Sequence, residues 1–212
     1  MTKAPFRPLK GTPLALIEAA ERLFGQHGIE SVSLRQIRMA AGAGNNSAIS
    51  YHFSDREKLA RAIWEYRLPQ LDKARRALLE QMYREGTQHD PQAVLRALVM
   101  PDYDLIDSSG VHRYAAFFRH ALRWREGTLI RNAQLDVTPA SGEALALFHA
   151  LRPDVSPTLL DYRLRHGCCM FFDMIFERDC EIAAGREVMP ERMFLDEGFA
   201  MLEAVCLRPS VA

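Results

Sequence analysis

An all-α fold is predicted by three observations. No stretch of useful length alternates apolar and polar side chains with period two. Apolar residues recur instead at three- and four-residue spacing, as on the buried face of a helix. Several of these stretches open on a capping side chain or a proline and close at a glycine. The chain has 212 residues, 48% apolar and 25% charged, which is ordinary for a globular protein and enough to bury a core without disulfides.

In chain order, residues 1–11 carry Lys3, Arg7 and Lys10 with Pro5 and Pro8, and read as a flexible basic arm. Thr12-Pro13 supplies a capping hydroxyl and a proline at the first helical position. The helix that follows has Leu16, Ile17, Ala20, Leu23 and Phe24 as its apolar stripe and ends at Gly28. Ser33 is placed as an N-cap for a short helix in which Leu34, Ile37 and Ala41 share one face. Gly42-Ala43-Gly44 is a turn, and Asn45 can cap a second short helix. That helix sorts into two sides: Ala48, Ile49, His52 and Phe53 against Asn46, Ser47, Ser50 and Tyr51. The first side suits a core. The second offers amides, hydroxyls and a phenol that can read base edges and hold phosphates. This is the pattern of a helix-turn-helix. A helical hairpin with a merely wet outer face has the same pattern.

After Phe53, either Ser54 with Glu57 or Asp55 alone caps a helix carrying Leu59, Ala62, Ile63 and Tyr66 on one side. Arg56 and Lys58 in its first turn, with the helix amides, suit a phosphate. Arg67-Leu68-Pro69 predicts a kink or short break. Helices are then expected over 71–84, 92–100 (interrupted at Pro101), 112–125, 140–151, 158–179 and from Pro190 to about 207.

Net charge is formally zero, but its distribution is uneven. Residues 1–67 hold 10 Lys/Arg against 6 Asp/Glu, and the rest hold 17 against 21, which suits a basic docking surface confined to one end. Cys168, Cys169, Cys180 and Cys206 form no Cys-x-x-Cys pair, and the opening residues do not resemble a signal peptide. A reducing cytoplasm and no membrane association are expected. No His-Glu-x-x-His, Gly-x-Ser-x-Gly or phosphate loop occurs. The chain is therefore read as not an enzyme, with no cofactor and no metal; an all-α enzyme is the remote alternative.

Residues 12–67 resemble the DNA-binding domain of the tetracycline-repressor (TetR) family of bacterial transcription regulators. The matching positions are Ile17, Ala19, Ala20, Leu23, Phe24, Gly28, Ser33, Ile37, Ala41-Gly42, Ile49, Tyr51-His52-Phe53, Arg56, Glu57 and Leu59. The resemblance implies that Ser33 and Arg35 touch phosphates or base edges, that Tyr51, His52 and Arg56 hold phosphates, and that Asn46, Ser47 and Ser50 read the major groove. Three departures stand out: one extra residue within 43–46, Ser50 where an aromatic is often found, and Arg38 where a small residue is usual. The extra residue leaves open which of Asn45 and Asn46 faces bases.

The resemblance further implies that 68–212 is a helical ligand-binding and dimerisation domain, with the last two helices forming the homodimer. Tyr103, Phe117, His120, Trp124, Phe148 and Phe171 are the candidate lining of a pocket for an apolar or amphipathic effector. The expected function is a homodimeric repressor that binds a palindromic duplex operator and is released by ligand. The alternative is a ligand-independent or architectural DNA-binding regulator.

Overall fold

The computed structural model describes residues 12–42, 53–124 and 138–209. Among these residues there are eight α-helices and no strand, as the patterning predicts. They are α1 Thr12–His27, α2 Leu34–Ala40, α3 Arg56–Glu85, α4 Pro91–Tyr103, α5 Arg113–Arg123, α6 Pro139–Ala150, α7 Pro157–Ala183 and α8 Glu191–Leu207. The basic arm, 1–11, lies outside the described residues. So do 43–52, which hold Ala43, Gly44 and most of the expected second short helix.

The helix ends follow from local chemistry. Gly28 closes α1 at a φ of +86°, its N–H donating to the Phe24 carbonyl at 2.9 Å. Ser33 and Gln36 make a reciprocal capping box at α2: the Gln36 amide donates to Ser33 Oγ, and the Ser33 amide to Gln36 Oε1 at 2.9 Å. Of the two starts expected for α3, Asp55 is the one that forms, accepting the Lys58 amide at 2.8 Å. The Ser54 hydroxyl, then the Lys58 amide, holds the Asp55 carboxyl below its ordinary range.

Two expected interruptions are not there. Pro69 lies within α3, which runs unbroken for 30 residues, and Pro101 lies within α4. Each proline removes one donor from a helix ladder. Around Pro69, burial of Trp64 and Leu71 in the same core holds the two halves in line. Pro101 leaves the Ala97 carbonyl without its helical donor, and Arg75 of α3 supplies one, Nε to Ala97 O at 3.1 Å.

The helices enclose two cores. The N-terminal head, formed by α1, α2 and the start of α3, buries Leu16, Ile17, Phe24, Ile37, Leu59 and Ile63. This core is completed by Tyr114, Phe117 and Ala121 of α5. Helix α1 lies close along α5 because Gly25 has no side chain; a Cβ there would stand 3.1 Å from the Phe117 backbone nitrogen. A partly buried ion pair, Arg67 Nη2 to Glu21 Oε2 at 2.8 Å, joins α3 to α1. The larger core of the body gathers Leu79, Val94, Leu95, Phe148, Leu160, Phe171, Phe172, Ile175, Phe199 and Leu202 from α3, α4, α6, α7 and α8. Gly167 and Gly198 let α7 and α8 approach closely, since a Cβ on either would meet Leu202 or Phe171 at under 3 Å. All four cysteines are free thiols, and burial pushes the Cys206 thiol up to about 12. No described helix is long and apolar enough to cross a membrane.

Candidate nucleic-acid interface and a central cavity

The start of α2 and the start of α3 face a shared cleft of about 440 Å³, lined by Glu30, Ser31, Val32, Ser33, Leu34, Ser54, Asp55 and Arg56. Its position follows from packing. Ile37 on the underside of α2 and Leu59 on α3 are both fully buried, so the opposite sides of these helices face out. Ser33, Arg35, Arg56 and Lys58 are all exposed. Arg56 is oriented by its Nη1, which donates to the Glu30 carbonyl, and Lys58 Nζ donates to Ser54 Oγ at 2.8 Å. Four of the ten residues expected at DNA are therefore described, and they lie on the solvent side of the two capped helices. Asn45, Asn46, Ser47, Ser50, Tyr51 and His52 lie outside the described residues. Phe53, just after them, is half-buried against the head core. Arg38 is half-buried on α2.

A second cavity, of about 430 Å³, lies among α3, α4, α5, α6 and α7, a volume within the usual range for small-molecule sites. Apolar side chains dominate its wall, among them Trp64, Leu71, Leu98, Phe118, Leu122 and Leu145. The polar groups are few and placed. Arg75 and Asp102, both buried, form an ion pair at 3.2 Å. Arg75 also donates to Leu98 O at 3.0 Å and to Ser141 Oγ at 2.7 Å. Burial raises the Asp102 carboxyl to about 6, more than Arg75 beside it lowers it. Among the described residues, no group of His, Cys, Asp and Glu is arranged to hold a metal ion.

None of the six aromatic and histidine side chains expected to line a pocket lines this cavity. Phe148 and Phe171 are fully buried in the body core. Tyr103 is buried there too, its hydroxyl donating to Glu191 Oε1 at 2.8 Å. Phe117 and Trp124 pack in or against the head core. His120 sits half-buried beside Gly28 at the end of α1, and burial lowers its pKa. On α5 the side chains that do line the cavity are Tyr114, Phe118 and Leu122, one helical turn apart, rather than Phe117 or His120. Sequence reasoning missed Arg75 and Asp102; the available signal was Pro101, which frees a carbonyl that needs a donor from elsewhere.

Cavity and head share aromatic rings. Trp64 and Tyr114 line the cavity and belong to the head core. Trp64 meets Phe117 edge-on at 5.9 Å between centroids, and Phe117 stacks on Phe24 of α1 at 6.4 Å.

A capped, outward-facing helix pair on a head continuous with a cavity-bearing helical body defines the class of fold: an all-α chain with two joined cores. Residues 16–63 match the family described as bacterial regulatory proteins, tetR family. The chain is also 36% identical over 85 residues to the HTH-type transcriptional regulator AcrR of Shigella flexneri. That match covers 40% of this chain and 37% of that relative's length. Over this N-terminal stretch the chain is similar to TetR-family transcriptional regulators, and it spans little more than a third of that relative's length.

Proposed function

We propose that the chain is a homodimeric, ligand-responsive repressor. Residues 12–67 dock on a near-palindromic duplex operator, and 68–212 hold a small apolar or amphipathic effector and form the dimer. The observation that carries this reading is the shared wall: a ligand in the cavity touches Trp64 and Tyr114, side chains that also build the head. A ligand can shift the head only if it binds two arrangements with different affinity. Rings packed into both compartments supply the contact through which that difference acts. Helix α3 crosses the 67/68 boundary without a break, so it ties the reading end to the wall of the cavity.

Leu159, Met193 and Met201 stand exposed on α7 and α8, which supports pairing of these helices with a second copy. Two heads held by such a pair would enter successive major grooves about one helical turn apart. A ligand-independent regulator has less support, because a cavity of this size with buried charge is costly to keep in a body that binds nothing.

The DNA arm is tested with Arg56→Ala, which removes an exposed cation without touching the core. Binding to duplex weakens across sequences, and the slope of log affinity against log salt falls by about 0.9 for each head, about 1.8 for the dimer, one phosphate contact per protomer. An unchanged slope in the folded variant removes Arg56 from the interface.

A further inference from the structure

We infer that the effector is an apolar weak acid, bound as its anion against the guanidinium of Arg75, and that cationic amphiphiles are excluded. This inference rests on the central cavity being the effector site. As found, Arg75 and Asp102 neutralise one another inside a largely apolar wall. A charged ligand entering such a wall loses its hydration and needs an opposite charge that is not already answered.

The two members of the pair are not equivalent in this respect. An arginine does not give up its proton in a protein, so the cavity cannot be made net negative by removing charge from Arg75. The guanidinium is also anchored, by Nε to Ala97 O, by Nη2 to Leu98 O and by Nη1 to Ser141 Oγ. Asp102 is the member that can change, and burial has already brought its carboxyl up to about 6. The cavity can therefore become net positive but not net negative. An incoming carboxylate takes the Nη2–H now given to Asp102 Oδ2. Asp102 takes one proton from solvent, and its new O–H donates to the ligand's second oxygen. Charge in the cavity is again zero, and one proton is taken up for each ligand bound wherever Asp102 starts ionised.

The other charged and titratable groups on the wall do not reverse this asymmetry. Asp161 of α7 is held by His149 of α6, with Nε2 to Oδ1 at 2.8 Å. Arg165 of α7 lies over the Tyr162 ring and, among the described residues, pairs with no carboxylate, so it adds positive potential. Tyr114 of α5 stays protonated because burial pushes its hydroxyl well above its ordinary value, and Cys168 of α7 completes the set.

The test is calorimetric titration of the full chain with decanoate, decanamide and decylamine, three probes of one shape and different charge, at about pH 6 and about pH 8. Decanoate is expected to bind about fifty-fold more tightly at the lower pH, the change that protonation of a group near 6 dictates. Its binding heat should vary with the ionisation enthalpy of the buffer, as about half a proton is taken up at about pH 6 and close to one at about pH 8, and decylamine should not bind. Asp102→Asn, which keeps an acceptor for Arg75 and adds a donor for the ligand, should bind decanoate equally at both values. Leu145→Trp, which fills the cavity, should abolish binding. Decanamide or decylamine binding as tightly as decanoate at the lower pH overturns the charge class and leaves the effector cavity standing. Decanoate binding that is indifferent to pH, or that survives Leu145→Trp, also overturns the inference. No binding by any of the three overturns it together with the effector reading.

Discussion

Phe24→Ala lowers the free energy of unfolding by about 3–5 kcal/mol, the cost of emptying a large, fully enclosed aromatic site. Phe24 has no exposed surface, and its ring stacks on Phe117 in the core that α1 shares with α5. The site cannot collapse easily. Gly25 already sets α1 against the α5 backbone, so the helices have little room to close further. The loss should appear as a lower denaturant midpoint with an unchanged slope. Because Phe117 also meets Trp64 on the cavity wall, the variant should weaken the link between ligand and head. Phe24→Leu, which keeps most of the volume, should cost well under half as much. A change below about 1 kcal/mol for the alanine variant would mean that the head core does not depend on α5.

Arg75→Met is the second large effect, about 3–5 kcal/mol, and for a different reason. It strands the Asp102 carboxylate in a buried site and removes the donor that answers the carbonyl freed by Pro101. The double variant Arg75→Met, Asp102→Leu should recover a large part of the loss, because no charge is then left unpaired. The pH dependence has a definite sign. In the folded wild type the Asp102 carboxyl sits at about 6, well above the ordinary carboxylate range. The native state therefore holds more protons, and this group's contribution to stability falls as pH rises through that window. Without Arg75 the folded value moves further up, so the penalty of Arg75→Met should be smaller at about pH 5 than at about pH 7.5. A penalty that is independent of pH would place the effect in lost packing rather than in the stranded charge.

The residues that could be read in advance are those whose role is local. Gly28 ends a helix because a left-handed residue is needed there, and Ser33 and Asp55 start helices because an amide needs an acceptor. Leu34, Ile37 and Ala41 face the head core because their spacing is that of a helix. What escaped the reading depends on distant partners. Pro69 and Pro101 look like breaks until Trp64 with Leu71, and Arg75, are seen to hold the chain helical across them. The cavity draws its wall from five helices far apart in sequence, so no one segment announces it. Large aromatics such as Phe148 and Phe171 were the natural guess for its wall, yet their size makes them the first side chains a core uses. The face expected to read bases, from Asn45 to His52, depends on residues outside those described here; its flanks, Arg35 and Arg56, are exposed as a phosphate grip requires.

The most direct measurement is selection of duplexes from a random-sequence pool by the purified chain, followed by titration of the winners against salt. A homodimeric operator-binding chain enriches a two-fold-symmetric sequence whose half-sites lie about one helical turn apart, with affinity falling steeply as salt rises. A folded chain that enriches no sequence, and whose contact with duplex is absent or indifferent to salt, would contradict operator binding.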